Sequence, residues 1–87
     1  MVYQLRPTGV AWRAAGEEIV VLDTESAVYF GLDRSGSLLW THLAAGATVA
    51  DLVAALVATE PVEPDRAAGD VDAFVDALLR HRLIQRG

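Results

Sequence analysis

The chain has no cysteine, which removes disulfides, thiol nucleophiles and thiolate metal sites together, so the core must hold without covalent help. It has no apolar run near the roughly 20 residues a membrane span needs, and no basic segment leading into a hydrophobic block at its N-terminus. A cytoplasmic protein with no membrane partner is expected. Positive charge is also scarce. Seven cations, all Arg, stand against twelve Asp and Glu, for a formal charge of −5. Because a phosphate backbone is held by neutralising it with cations, nucleic acid is not an expected partner.

Groups for chemistry are equally thin. The two histidines, His42 and His81, lie in no His-x-x-x-His or Cys/His spacing, so no metal site is expected. His42 reads as a half-exposed helix residue and His81 as one that complements a helix C-terminus rather than catalysing anything. Gly31 and Gly36 flank a helix start without the Lys-Ser context of a phosphate loop, so no nucleotide or other cofactor is expected. The carboxylates scatter over turns and helix surfaces rather than forming an acid pair. Together these absences point to a protein that is not an enzyme.

What is present is a chain of 87 residues, 53% of them hydrophobic, enough for one domain spanning 1–87 with one modest core. From Val10 to Leu32, short apolar runs are broken by Ala14-Ala15-Gly16-Glu17 and Asp23-Thr24-Glu25-Ser26. This predicts strands over about Val10 to Ala14, Glu18 to Leu22 and Ala27 to Leu32 in an antiparallel meander within about 8–32. Met1 to Pro7 shows no pattern and reads as an extended arm.

After Leu32 the period becomes helical, and about 33–84 forms a three-helix part. Asp33 caps a helix running to about Ala45, with Leu38, Leu39, Trp40 and Leu43 on it and Gly46 as a left-handed stop. Thr48 opens the second helix, with Asp51 three residues on in a capping-box-like arrangement, Asp being shorter than the usual Glu or Gln. Val49, Leu52, Val53, Leu56 and Val57 form its buried stripe, and it ends near Glu60 before Pro61 and Pro64. The third helix begins between Asp65 and Asp70 and runs to about Arg82, with Val71, Phe74, Val75, Leu78 and Leu79 as its apolar face and Asp76 and Arg80 spaced to pair. Leu83-Ile84-Gln85 either adds a short closing strand or caps the core. The expected fold class is α+β, winged helix-turn-helix-like, with an N-terminal three-stranded antiparallel sheet followed by three α-helices.

The third strand carries the functional reading. Ala27-Val28-Tyr29-Phe30-Gly31-Leu32 contains no charge and no proline, the usual devices that blunt an exposed sheet edge. Alternation assigns Val28, Phe30 and Leu32 to the core and turns Ala27, Tyr29 and Gly31 the other way, making Tyr29 a candidate exposed contact. An open edge beside an amphipathic helix accepts an extended peptide as an extra strand. The bland alternatives are that a helix or the N-terminal arm covers the edge, or that two copies pair through it. On the third helix, Asp70, Asp72 and Asp76 could read basic ligand residues or form a solvated face, and Phe74 and Leu78 could line a groove or fill the core.

The ordered set Ile19-Val20-Val21-Leu22-Asp23, Tyr29-Phe30-Gly31-Leu32-Asp33, Gly36, Leu39-Trp40, Gly46, Thr48-Val49, Leu52, Leu56 and Asp70-Val71-Asp72-Ala73-Phe74 resembles the PqqD-like proteins. These are the recognition elements that bind precursor leaders in ribosomal peptide biosynthesis. The likeness spans about Val10 to Ile84 and is nearest to the stand-alone members of lasso-peptide pathways. Many members carry Asn where this chain has Asp33; both residues cap helices.

The resemblance implies a leader peptide lying antiparallel to Ala27–Leu32, in a groove against Asp70–Leu79, with a Tyr-x-x-Pro element in an apolar pocket. It also implies a separate cysteine-type leader peptidase, and a macrocyclase, as further partners of a monomeric protein. The expected peptide-binding residues are Ala27, Val28, Tyr29, Phe30 and Gly31 on the strand and Asp70, Val71, Phe74, Val75 and Leu78 on the helix. Two readings from other classes are a winged-helix DNA-binding regulator, which the charge disfavours, and a structural subunit that forms a homodimer.

Overall fold

The computed structural model describes all residues 1–87. Strands β2 (Val10–Ala15), β3 (Glu18–Asp23) and β4 (Val28–Leu32) form an antiparallel sheet in the order β2-β3-β4. Gly16, at φ 68, supplies the positive φ that the two-residue turn between β2 and β3 requires. Ala27 does not belong to the third strand: it sits at φ 59, in the turn just ahead of Val28. The N-terminal arm also differs from expectation. Tyr3–Leu5 is a strand, β1, and pairs antiparallel with β5 (Ile84–Arg86), forming a second, two-stranded sheet.

Three helices follow the meander. Helix α1 (Arg34–Ala45) is capped by Asp33, whose carboxylate accepts the Gly36 N–H at 2.8 Å, and it stops at Gly46 with φ 88. Helix α2 (Val49–Thr59) opens with a complete capping box between Thr48 and Asp51. The Thr48 backbone N–H and hydroxyl both bond Asp51 and, against a smaller desolvation cost, hold its carboxyl below the ordinary range. Helix α3 (Pro64–Arg80) starts earlier than expected because Pro64 occupies its first turn, where a missing N–H costs nothing. It closes through His81 and Arg82, and the Leu83 N–H returns to the Leu78 carbonyl at 3.0 Å.

The core lies between the inner face of the three-stranded sheet and the helices, around Ile19, Val21, Trp40, Leu43, Leu52 and Leu83. Trp12 meets Trp40 edge-on, with ring centroids 6.4 Å apart. Val57, expected in the buried stripe of α2, is instead exposed, while Leu52 and Leu56 are buried and Val49 and Val53 pack partly buried against the core. Ion pairs are made by Arg6 and Arg34, not by Asp76 and Arg80.

Ser37, on α1, is the polar side chain buried with this core, at 4% exposure. Its hydroxyl accepts the Ile19 N–H at 2.8 Å and donates to the Leu32 carbonyl at 3.2 Å. It thereby closes the last rung between β3 and β4 and pins the helix to the sheet.

Candidate functional site

Strand β4 is an edge strand: β3 is its neighbour on one side and no strand lies on the other. Which of its backbone groups face outward follows from the alternation of antiparallel bonding. The Thr24 N–H bonds the Gly9 carbonyl, and Thr24 lies one step beyond the Asp23–Val10 pair, so Thr24, Leu22, Val20 and Glu18 address β2. Asp23, Val21 and Ile19 therefore address β4, where their partners are Val28, Phe30 and Leu32. The Ser37 hydroxyl, inserted between the Ile19 N–H and the Leu32 carbonyl, marks the same parity independently. Tyr29 and Gly31 are left with N–H and C=O groups pointing away from the sheet and without a hydrogen-bond partner.

One stripe of α3 runs beside this edge. Arg66, Asp70 and Phe74 succeed one another every four residues and line one cavity; His81 continues the stripe seven residues past Phe74. A methyl group placed on Gly36 would come within 3.3 Å of Phe74, so α1 and α3 touch closely beside Leu32. At the other end, the His81 ring lies on Phe30 with centroids 4.8 Å apart. Strand and helix thus bound a groove. Beside Leu32 it opens into a cavity of about 560 Å³ with Leu39, Leu56 and Phe74 among its apolar walls and Glu60, Glu63 and Asp70 among its acids.

The expected site residues divide on this geometry. Phe30, half-buried, faces the groove side of the sheet, and Asp70 and Phe74 line the cavity. Val71, Val75 and Leu78 are at most 4% exposed and belong to the core, so they support the groove wall from behind and present no surface to a ligand. Tyr29 is 69% exposed, and its side chain stands on the outer face of the sheet, opposite the helices. Val28 sends its backbone groups to β3, and Ala27 stands in the turn before the strand. His81, Arg66, Glu60 and Glu63 are the additions that sequence reasoning did not reach. For His81 the signal was available, since it extends the spacing of Asp70 and Phe74 by two further turns.

No group of three His, Asp or Glu side chains converges in a way that could hold a metal ion, and no helix is long and apolar enough to cross a membrane.

The fold and edge define an α+β, winged-helix-like module with one uncovered strand facing a helix. The chain belongs to the PqqD family: the family model described as coenzyme PQQ synthesis protein D (PqqD) matches residues 18–84. Two solved structures are similar over nearly the whole chain. One is described as TbiB1 in complex with the TbiA(beta) leader peptide, with 27% identity, coverage of 97% of this chain and 96% of that one, and a TM-score of 0.89. The other is a lasso peptide synthetase B1 complexed with the leader peptide, with 26% identity, coverage of 97% and 98%, and a TM-score of 0.84. A search of curated proteins finds no match.

Proposed function

We propose that this protein recognises the leader segment of a ribosomally made precursor, of the lasso-peptide kind, and does no chemistry of its own. The leader adds to β4 as an antiparallel fourth strand, bonds the free groups of Tyr29 and Gly31, and turns alternate side chains into the groove against Phe74 and His81. The cavity beside Leu32 receives the apolar residues at the leader's N-terminal side. A monomeric cytoplasmic adaptor of this kind raises the effective concentration of the precursor near a separate cysteine-type leader peptidase, and near a macrocyclase.

The observation that carries this reading is the pair of unpartnered backbone rungs at Tyr29 and Gly31. The likeness to two proteins whose structures are leader-peptide complexes supports it. A phosphate-binding role is disfavoured by the surface of α3, where Asp65, Asp70, Asp72 and Asp76 outnumber the helix's two arginines.

Amide hydrogen exchange with a synthetic leader from the neighbouring precursor gene tests it. Exchange at Tyr29 and Gly31 should slow by roughly 100-fold when free leader reaches about 100 times Kd. Val28, Phe30 and Leu32, already bonded to β3, should change far less. Saturating leader that leaves Tyr29 and Gly31 exchanging freely would refute strand addition, and a tight dimer in light scattering that leader does not alter would favour self-pairing at the same edge.

A further inference from the structure

Gly31 is a glycine that this fold does not need. Glycine in mid-strand weakens a strand, and three internal reasons ordinarily retain it: a positive φ, a bulge, or a neighbour too close for a side chain. None applies. Positive φ among the glycines is confined to Gly9, Gly16 and Gly46. The register runs unbroken through Val20↔Gly31, with no extra residue on either strand. A methyl group built on Gly31 meets nothing within 4 Å. The remaining reason for a strand glycine is the close approach of something outside the chain.

The surroundings say where that approach occurs. Gly31 is on the outer face of the sheet with Tyr29, Val20 and Leu22. In an antiparallel sheet with one solvated face, outward positions are ordinarily polar. Here Ala11, Val20, Leu22 and Tyr29 instead line an apolar hollow of about 460 Å³, with Arg13 the charged residue at its rim. Gly31 interrupts this face at the open edge, directly beside Val20, and leaves a gap the width of a side chain.

We propose that Gly31 is a specificity-determining position, a slot through which a large apolar or aromatic side chain of the bound strand crosses the edge and lies on the outer face, against Val20 and Tyr29. This rests on the strand-addition reading and deepens it. Gly31 directs its N–H and C=O to the added strand, so the residue opposite it forms a hydrogen-bonded pair with it, and that residue's side chain emerges on the same face. A bulky side chain across from a glycine covers the exposed backbone and pins the register. The ligand is then read on two faces. The residue opposite Phe30 points toward α3, while those opposite Tyr29 and Gly31 point to the outer face, away from the groove.

Gly31→Ala and Gly31→Val test this with a synthetic leader and a series in which each leader residue in turn is cut to Ala. Both variants should melt in urea at a midpoint no lower than that of the parent protein; a lower midpoint would show that the fold itself requires the glycine and would overturn the proposal. By fluorescence anisotropy, Gly31→Val should raise Kd for the unaltered leader about tenfold or more, as overfilling a packed site does, and Gly31→Ala by less. One trimmed leader should bind the parent more weakly than the full leader does, yet bind Gly31→Val better than the full leader does. Binding of the full leader by Gly31→Val within about twofold of the parent would overturn the slot while leaving strand addition standing, provided that Tyr29 and Gly31 are still protected from exchange in the parent. If the parent binds no leader at all, both readings fall together.

Discussion

Replacing Ser37 by Ala removes one oxygen and strips two backbone groups of their partners. The Ile19 N–H loses its acceptor at 2.8 Å and the Leu32 carbonyl loses its donor at 3.2 Å, in a place where Ile19 and Ser37 are each only 4% exposed. A buried backbone group left unpaired costs about 1–3 kcal/mol; the Ile19 N–H is buried and the Leu32 carbonyl only partly so and costs less, which sets the expected loss at about 2–4 kcal/mol, partly relieved if the strand ends close on each other. For a domain of this size the whole stability is on the order of 5–10 kcal/mol, so the loss is a large share of it. Urea unfolding followed by tryptophan fluorescence suits the test, since Trp40 is fully buried and Trp12 lies against it. With a denaturant slope of about 1 kcal/mol per molar, the midpoint should fall by about 2 M or more at constant slope. Ser37→Thr, which keeps the hydroxyl, should recover part of this. A midpoint shift of less than about 0.5 M in Ser37→Ala would refute the claim that this hydroxyl completes the ladder.

Two further outcomes are expected. Asp23 is pushed up by its partial burial, but the N–H groups of Glu25 and Ser26, the Ser26 hydroxyl and the Arg6 guanidinium more than offset this; with Asp51, it is a carboxyl held below its ordinary value of 3.8. Groups depressed on folding stabilise the fold above their unfolded pKa and lose that contribution as pH falls through the folded one. Urea midpoints should therefore hold steady at mildly acidic pH and drop below about 3.8; in Asp23→Asn with Asp51→Asn the drop should be shallower, and an equally steep drop would sink the assignment. Arg82 sits at φ 58, at the position after the cap of α3 where glycine is the low-cost residue. Arg82→Gly should raise stability by about 1 kcal/mol, or roughly 4–8 °C in Tm by calorimetry, and an unchanged or lower Tm would contradict it.

What could be read from the sequence was local. Asp33, Gly46 and the Thr48–Asp51 box act within one turn of their own helices, so residue type and spacing identify them. The meander was legible for the same reason, its turns being short. Pro64 misled because the residue that ends a helix in the interior also begins one comfortably in its first turn. The β1–β5 pair joins residues about eighty positions apart through short stretches of mixed polarity, and no local pattern announces a partner so distant. On α3 the periodicity correctly marked apolar residues but not which layer each one meets. Val71, Val75 and Leu78 lie about 80–140° around the helix from Asp70, toward the core, while Phe74, at about 40°, sits between that face and the groove. Separating those directions requires knowing where β4 runs.

The short second sheet and Ser37 together explain how an edge with so few free rungs can select a ligand. Ser37 fixes the Leu32 end of β4 to α1. At the far end of α3, the Leu83 carbonyl accepts the Arg6 N–H at 3.0 Å, and β1 in turn bonds Ala47 beyond α1. Helix α3 is therefore held at its C-terminal end by strands and past its middle, at Phe74, by contact with Gly36, so the groove is formed before a ligand arrives and binding need not order its walls. The edge itself is short: the turn at Ala27 bounds it on one side and the Asp33 cap on the other, and a brief edge is a poor template for indiscriminate pairing. Two backbone rungs supply little affinity and no sequence information. On the proposed strand-addition reading, discrimination comes from the side chains beside those rungs, Phe74 and His81 on the groove face and the gap at Gly31 on the outer face.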